Sequence, residues 1–201
     1  MVIRLYENNP RLSEIERIAD MLRNGGVVIY PTDTVYAIGC DALNVRAAER
    51  ICKLKGINPL KSNLSIIGHD ISSLSRYVKI NDLNFKLIRN NTPGPFTFIL
   101  PTASGLPKLY KNRKSVGIRI PDNSIPRVLS EVLGNPLLSS SLNDDAEIGY
   151  VTDPELIAEK YSGTADIIID GGMGGEVAST VVDCTGDEVK IIRQGIGDLR
   201  F

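Results

Sequence analysis

Tryptophan is absent from this chain of 201 residues, and aromatic residues make up only 5% of it. The interior must therefore be packed with Ile, Leu and Val rather than with rings. There is one histidine, His69, in the polar stretch Gly68-His69-Asp70. Surface exposure is the state expected of it. Imidazole-centred general-base catalysis and a His-based metal site are therefore not expected, and Ser-His-Asp hydrolysis has no supporting spacing. The three cysteines, Cys40, Cys52 and Cys184, are odd in number and far apart. With no CxxC spacing they outline neither a disulfide framework nor a zinc site, and reduced thiols in the cytosol are the simpler reading. No apolar run approaches the ~20 residues of a membrane-spanning helix. The first residues, Met1 to Tyr6, turn polar too soon for a secretory leader. Neither sign of charge dominates: 23 Lys and Arg face 24 Asp and Glu, a net charge of -1. Global charge thus gives no draw toward nucleic acid, and any anion site has to be a local cluster.

What is present is the balance of an ordinary globular protein, 42% hydrophobic and 23% charged, in a length suited to one sizeable core. No repeat, low-complexity tract or linker divides it. A single domain over residues 1–201 is expected. Helical and strand-like patterns alternate, which points to α/β layering with a mixed, twisted, open sheet flanked by helices.

Strands are expected at Val2–Tyr6, Val27–Tyr30, Val35–Ile38, Asn63–Ile67, Phe96–Leu100, Ser115–Ile120, Leu137–Ser140, Ile167–Ile169, Thr180–Asp183 and Val189–Arg193. The first helix follows Pro10, carries Leu12, Ile15, Ile18, Ala19 and Leu22 at helical spacing, and stops at Asn24-Gly25-Gly26. Asn44 can cap a second helix that runs to about Lys55. Leu83–Arg89 reads as helical. Ser124 reads as the cap of a helix ending near Gly134. Asp153-Pro154-Glu155 opens another.

Three segments place small polar residues or glycines at strand ends, where open α/β sheets bind ligands. In Tyr30-Pro31-Thr32-Asp33-Thr34-Val35-Tyr36, hydroxyls and a carboxylate crowd one turn. By residue type the segment serves equally as an ordinary β-turn or a binding loop. Ser139-Ser140-Ser141-Leu142-Asn143 offers hydroxyls and an amide to anionic oxygens, though composition alone favours a Ser-rich loop. Gly171-Gly172-Met173-Gly174-Gly175 matches neither GxxxxGK[ST] nor GxGxxG, so spacing alone favours a surface turn. Basic residues stand near these segments: Lys53 and Lys55 at a helix end, Lys61 after a Pro-containing turn, Arg119 before Pro121, and Arg193 before Gly195. A lysine at a helix C-terminus is ordinarily a dipole partner facing water. Arg193, after Val-Lys-Ile-Ile, predicts an inward guanidinium with an anionic partner.

Taken together, six blocks resemble the YrdC/YciO family, which contains the L-threonylcarbamoyl-adenylate synthases. They are Thr32-Asp33-Thr34-Val35-Tyr36, Pro93-Gly94-Pro95-Phe96-Thr97-Phe98, Gly117-Ile118-Arg119-Ile120-Pro121-Asp122, Ser139-Ser140-Ser141-Leu142-Asn143, Ser179-Thr180-Val181-Val182-Asp183 and Ile192-Arg193-Gln194-Gly195. Each is weak by itself; six in the family's order span nearly the whole chain. The resemblance implies a concave, basic-lined surface on a twisted open sheet. It implies synthesis of threonylcarbamoyl-adenylate and pyrophosphate from L-threonine, bicarbonate and ATP, with Mg²⁺ brought by the nucleotide, for t6A modification of tRNA. Some members resemble double-stranded RNA binders, so RNA or tRNA is an alternative partner. By the same resemblance, Lys55, Ser139, Ser141, Asn143 and Arg193 would grip ATP phosphates, with Lys53 or Lys61 as supplementary charges. Thr32, Thr34, Tyr36, Arg119 and Ser179 would line the threonine and carbamate side. No catalytic nucleophile distinct from these binding residues, and no metal site formed by the protein, is implied.

The chain also departs from the synthase pattern. Ile57 stands where synthases carry the Arg of K-x-R, which removes a bidentate phosphate donor. Asn123 replaces a His, and Asp144-Asp145 replaces Ser-Gly next to the serine loop. Several phrases look more like the YciO branch. No additional C-terminal domain is expected after Phe201.

Overall fold

The computed structural model describes residues 1–58, 64–107, 113–142 and 149–201. Among these, ten strands form one mixed sheet: β1 (Val2–Arg4), β2 (Val28–Tyr30), β3 (Ala37–Asp41), β4 (Ser65–Ile67), β5 (Phe96–Pro101), β6 (Ser115–Arg119), β7 (Leu137–Ser141), β8 (Ile167–Asp170), β9 (Thr180–Asp183) and β10 (Lys190–Arg193). Their spatial order is β1-β8-β2-β3-β7-β4-β6-β5-β9-β10. Parallel pairs such as β4 with β6 and β5 with β9 alternate with antiparallel ones such as β4 with β7 and β5 with β6. The expected mixed α/β sheet is therefore present.

The helices are α1 (Leu12–Arg23), α2 (Val45–Leu54), α3 (Ile71–Ser75), α4 (Asp82–Asn91), α5 (Ser124–Leu133), α6 (Gly149–Thr152) and α7 (Pro154–Lys160). In α1 the buried residues are Ile15, Ile18, Ala19 and Leu22, one face at i, i+3, i+4 and i+7. Leu12, expected on that face, stays exposed at the helix start. Asn44 caps α2 by accepting from the Ala47 amide at 3.1 Å. Gly134, in the left-handed region at φ 78°, ends α5.

Besides shifts of a residue or two at several element ends, two boundaries and one helix differ from expectation for local reasons. The cap of α5 is Asn123, whose Oδ1 accepts from the Ile125 amide, while Ser124 is already helical. Strand β3 begins at Ala37 because the Thr32 hydroxyl donates to the Val35 carbonyl and prolongs the turn. The short helix α3 was not expected at all. Asp70 nucleates it through a capping box with Ser73, hidden in a stretch that reads as polar surface.

One face of the sheet is covered from β8 across to β9. Helices α2, α4 and α7 lay Ala48, Ile51, Ile88 and Ile157 onto Ile38, Ile66, Phe98, Val116, Ile118, Leu138 and Val182. The opposite face is covered only in part. Helices α1 and α5 close it over β1, β8, β2 and the near ends of β3, β4 and β7, using Ile15, Ile18, Leu22, Ile125 and Leu129. Over β6, β5 and β9 that second face carries no helix-packed apolar cluster among the described residues. The alternation of a β-strand explains how one strand serves both sides: Val116 and Ile118 point into the core while Ser115, Gly117 and Arg119 point away. The uncovered stretch is where the candidate site lies.

No helix among the described residues is long and apolar enough to cross a membrane. Cys40, Cys52 and Cys184 are buried free thiols.

Candidate active site: a two-ended trough

A cavity of about 520 Å³ occupies the bare part of the sheet. Its floor is small and polar. Ser139 of β7, Ser65 of β4, Gly117 of β6 and Ile99 of β5 stand in one row across four strands. Gly117 is required there: a Cβ would meet Thr97 Cγ2 at 2.9 Å and Ser65 Cβ at 3.3 Å. The missing side chain keeps the trough open at its centre.

At one end stands Arg119, the last residue of β6. Its Nη2 donates to Asp33 Oδ1 at 2.7 Å and to Thr34 Oγ1 at 3.0 Å. The two ionic side chains are only 5% and 7% exposed. Asp33 Oδ2 also accepts from the Asp122 amide at 2.9 Å. Thr32 and Thr34 share a hydroxyl contact of 3.0 Å, and the Thr34 amide donates to Thr32 Oγ1. The turn that contains Pro31 and Asp33 is thus more than a reversal. It builds a buried carboxylate into the wall and uses it to aim a guanidinium. Burial pulls the Arg119 pKa down; Asp33 opposes the shift, and Arg193 adds to it. The Arg119 Nε is buried without a hydrogen-bond partner, a donor in position for a ligand oxygen.

Arg193 belongs to this same end. It pairs in register with Val181, and Val181 with Thr97, which places it level with Arg119 across the strands. Its Nε and Nη2 donate to the Ser179 carbonyl at 3.2 and 2.8 Å, and Ser179 Oγ lies 2.8 Å from Thr97 Oγ1. The expected anionic partner is not what holds it: Ser179 supplies a neutral carbonyl and hydroxyl, and Arg193 lies exposed along the edge strand. Sequence alone could not foresee this, because it does not reveal that β10 is an edge strand.

The other end lies near the start of β6 and the end of β7. Ser139, Ser140 and Ser141 line it, and the Lys55 Nζ, from the C-terminal cap of α2, donates to the Ser141 carbonyl at 2.5 Å. Arg113, Lys114 and Ser115 line the same end. The structure therefore brings Ser139, Ser141, Arg119, Ser179 and Arg193 to one cavity, with Lys55, Thr32 and Thr34 behind its walls. Lys53 is exposed and does not line the cavity. Lys61, Asn143, Asp144 and Asp145 lie outside the described residues.

Tyr36 is displaced from the expected role of lining. It is fully buried, donates to the Gly172 carbonyl at 2.7 Å, and accepts from the Gly171 amide at 3.1 Å. Burial pushes its phenol up to about 12. The glycine-rich loop is accordingly a buttress: its Gly175 amide donates to the Thr34 carbonyl at 2.7 Å, and a Cβ at Gly175 would lie 2.4 Å from that oxygen. His69 is half-exposed beside Asp70, far in role from any of this.

Asp33, Thr97, Arg113 and Lys114 are the members of the site that residue-by-residue reading passes over. A signal existed for Arg113. The run Ser115-Val116-Gly117-Ile118-Arg119 alternates small or polar residues with apolar ones, so one face of the strand is unfit for a core, and Arg113 continues that face by spacing.

A family model described as "Telomere recombination", covering Sua5, YciO and YrdC, matches residues 20–195. The chain belongs to the Sua5/YciO/YrdC family. It is 38% identical over 198 residues to the protein named "Uncharacterized protein YciO" of Escherichia coli K12, covering 98% of this chain and 96% of that one. It is 33% identical over 198 residues to the Methanocaldococcus jannaschii protein named "Putative threonylcarbamoyl-AMP synthase", covering 97% and 93%. The crystal structure of E. coli YciO superposes with a TM-score of 0.90 at 37% identity, covering 98% of this chain and 97% of that one. The structure of P. abyssi Sua5 complexed with L-threonine gives 0.87 at 29% identity, and all of this chain matches 62% of that longer one. As a member of the family, the chain has a YciO-like domain of mixed α/β architecture.

Proposed function

We propose that this Sua5/YciO/YrdC domain makes threonylcarbamoyl-AMP: L-threonine, bicarbonate and ATP give threonylcarbamoyl-AMP, pyrophosphate and water, for t6A modification of tRNA. The observation that carries the reading is the two-ended trough, with a buried, ion-paired Arg119 at one end and the serines of β7 at the other. An amino acid carboxylate suits Arg119, whose fork geometry matches two oxygens. Thr32, Thr34 and Ser179 surround that end and suit the amino acid's hydroxyl and the carbamate. Phosphate oxygens suit Ser139 and Ser141, near Lys55. The chemistry needs no covalent nucleophile. The threonine amine takes up the carbon of bicarbonate with loss of water, and the resulting carbamate oxygen attacks the α-phosphorus and expels pyrophosphate. Such a reaction is helped by positioning and by neutralising charge.

Magnesium would come with the nucleotide. The cavity lining holds no carboxylate among the described residues, so its donors suit an anion and not a bare cation. No described group of three His, Cys, Asp or Glu could hold a metal.

The test is ATP–pyrophosphate exchange by purified protein. Exchange that requires both L-threonine and bicarbonate is expected. No exchange at saturating substrates from folded protein would overturn the reading. If such a preparation instead bound structured RNA with strong salt dependence, the trough would be an RNA surface.

A further inference from the structure

Arg193 comes to the trough from β10, the edge strand, and its side chain is exposed there. A long exposed side chain ordinarily samples many rotamers. This one is held, because Nε and Nη2 both donate to the Ser179 carbonyl, at 3.2 and 2.8 Å. Nη1 makes no hydrogen bond among the described residues, and no carboxylate among them pairs with the guanidinium. Arg119, level with it, has Asp33 as its counter-charge. This end of the cavity therefore carries one positive charge with a neutral partner only, a charge suited to an anionic ligand.

The Ser179 carbonyl meets Arg193 because the chain turns back directly after that residue. A single hydroxyl sits at the centre of the turn. Thr180 is fully buried. Its Oγ1 donates to the Gly197 carbonyl at 2.6 Å, accepts from the Gly195 amide at 3.0 Å and lies 3.4 Å from Gln194 Nε2. A hydroxyl has one proton and two lone pairs, and here all are engaged. Gln194 reinforces the turn, its Nε2 donating to the Gly197 and Gly195 carbonyls at 2.8 and 3.1 Å. The Ile196 amide donates to the Ala178 carbonyl at 3.1 Å. Gly195 has to be glycine, since a Cβ would run into the Ala178 carbonyl and the Ser179 peptide. That close approach presses the turn onto the peptide whose oxygen holds Arg193. Farther along, the tail has a separate anchor: Asn91 Nδ2 donates to the Arg200 carbonyl at 2.7 Å, and Asn91 Oδ1 accepts from the Arg200 amide at 2.8 Å.

We infer that Thr180, with Gln194 beside it, is the positioning residue for Arg193: its hydroxyl folds the chain back so that the guanidinium is set in advance against Ser179 and presented to an anion in the trough. Thr180 touches no ligand itself, being wholly buried. That the anion belongs to L-threonine or its carbamate rests on the synthase reading; the hold on Arg193 does not.

The experiment compares the parent with Thr180→Val, Thr180→Ser, Gln194→Ala and Asn91→Ala, each shown to be folded by thermal melts. Nitrogen-15 spectra read the arginine Nε–H groups, the Arg193 signal being the one lost in Arg193→Lys. A hydrogen-bonded Nε–H exchanges slowly with water and a free one quickly. Thr180→Val should move the Arg193 signal to the position of a free side chain and speed its exchange. Thr180→Ser should keep it in place, and Gln194→Ala should shift it part of the way. Asn91→Ala, which releases the tail only at Arg200, should leave it unmoved. A signal unchanged in both Thr180→Val and Gln194→Ala overturns the inference, and loss of the signal in Asn91→Ala overturns the assignment to Thr180. Calorimetric titration of L-threonine then reads the consequence. Losing one pre-set side chain predicts roughly twofold to tenfold weaker binding to Thr180→Val, restored in Thr180→Ser. In an Arg193→Ala background Thr180→Val should cost nothing further; losses that simply add would mean that Thr180 acts on the fold at large, against the inference. No L-threonine binding by the parent would sink the synthase reading, and the Nε–H signal would still decide the positioning role.

Discussion

The two ends of the trough are built by different means. At the Arg119 end the charges are removed from water: Asp33 and Arg119 are nearly buried, and hydroxyls of Thr32 and Thr34 complete the bonding. At the Arg113 end the side chains are half-buried or exposed, and the Arg113 and Lys114 carbonyls accept from Thr102. The first end is rigid at a cost in desolvation. The second leaves its charges closer to water. Under the proposed synthase reading, that asymmetry would serve a small zwitterion at one end and a polyphosphate at the other.

Removing the buried carboxylate should break the comparison most strongly. Asp33→Ala leaves Arg119 buried without its counter-charge and should destabilise the protein by about 3 kcal/mol or more in denaturant unfolding. Lys114→Ala, at an exposed side chain of the other end, should shift stability by no more than about 0.5 kcal/mol. Equal losses at both ends would erase the distinction.

Tyr36→Phe is next. It deletes the bonds to Gly171 and Gly172 that hold the loop against Thr34, and should cost about 1–2 kcal/mol. The pH dependence sharpens the test. Burial raises the Tyr36 phenol from 10.0 to about 12, so the folded state keeps the proton longer than the unfolded chain does. That contribution is complete below pH 10 and is lost as pH climbs through about 12. Alkaline melts of the variant should fall less steeply over that window than those of the parent.

Ser179→Ala removes the Thr97 contact and one of the Arg193 contacts, but not the Ser179 carbonyl. A loss of about 1 kcal/mol in stability is expected, with weaker binding of L-threonine and little change for tripolyphosphate. Lys53→Ala should be smallest, within about 0.5 kcal/mol for stability and silent in both titrations. A large effect there would mean that α2 turns a different face to the trough.

Much of the fold was legible because local rules and burial agreed. The spacing of Ile15, Ile18, Ala19 and Leu22, the Asn44 cap and the Asp153-Pro154 start all appear as read. The site was legible only as an inventory. The hydroxyls of Thr32 and Thr34, Arg119, and the serines of β7 were named, but their grouping was not. Arg193 joins Arg119 rather than the serine end because β10 lies beside β9 at the sheet edge. Tyr36 turns inward because the glycine loop after β8 comes back to meet it. Both are long-range facts of strand order.

By itself the sequence determined the aliphatic core and the alternation of helix and strand, because composition and periodicity act over a few residues at a time. Only the tertiary structure decided which face of the sheet stays bare, which cations share an end of the trough, and that Asp33 serves Arg119. Those outcomes depend on pairing between segments far apart in the chain, Asp33 and Arg119 alone being 86 residues apart, and no local pattern encodes such a pairing.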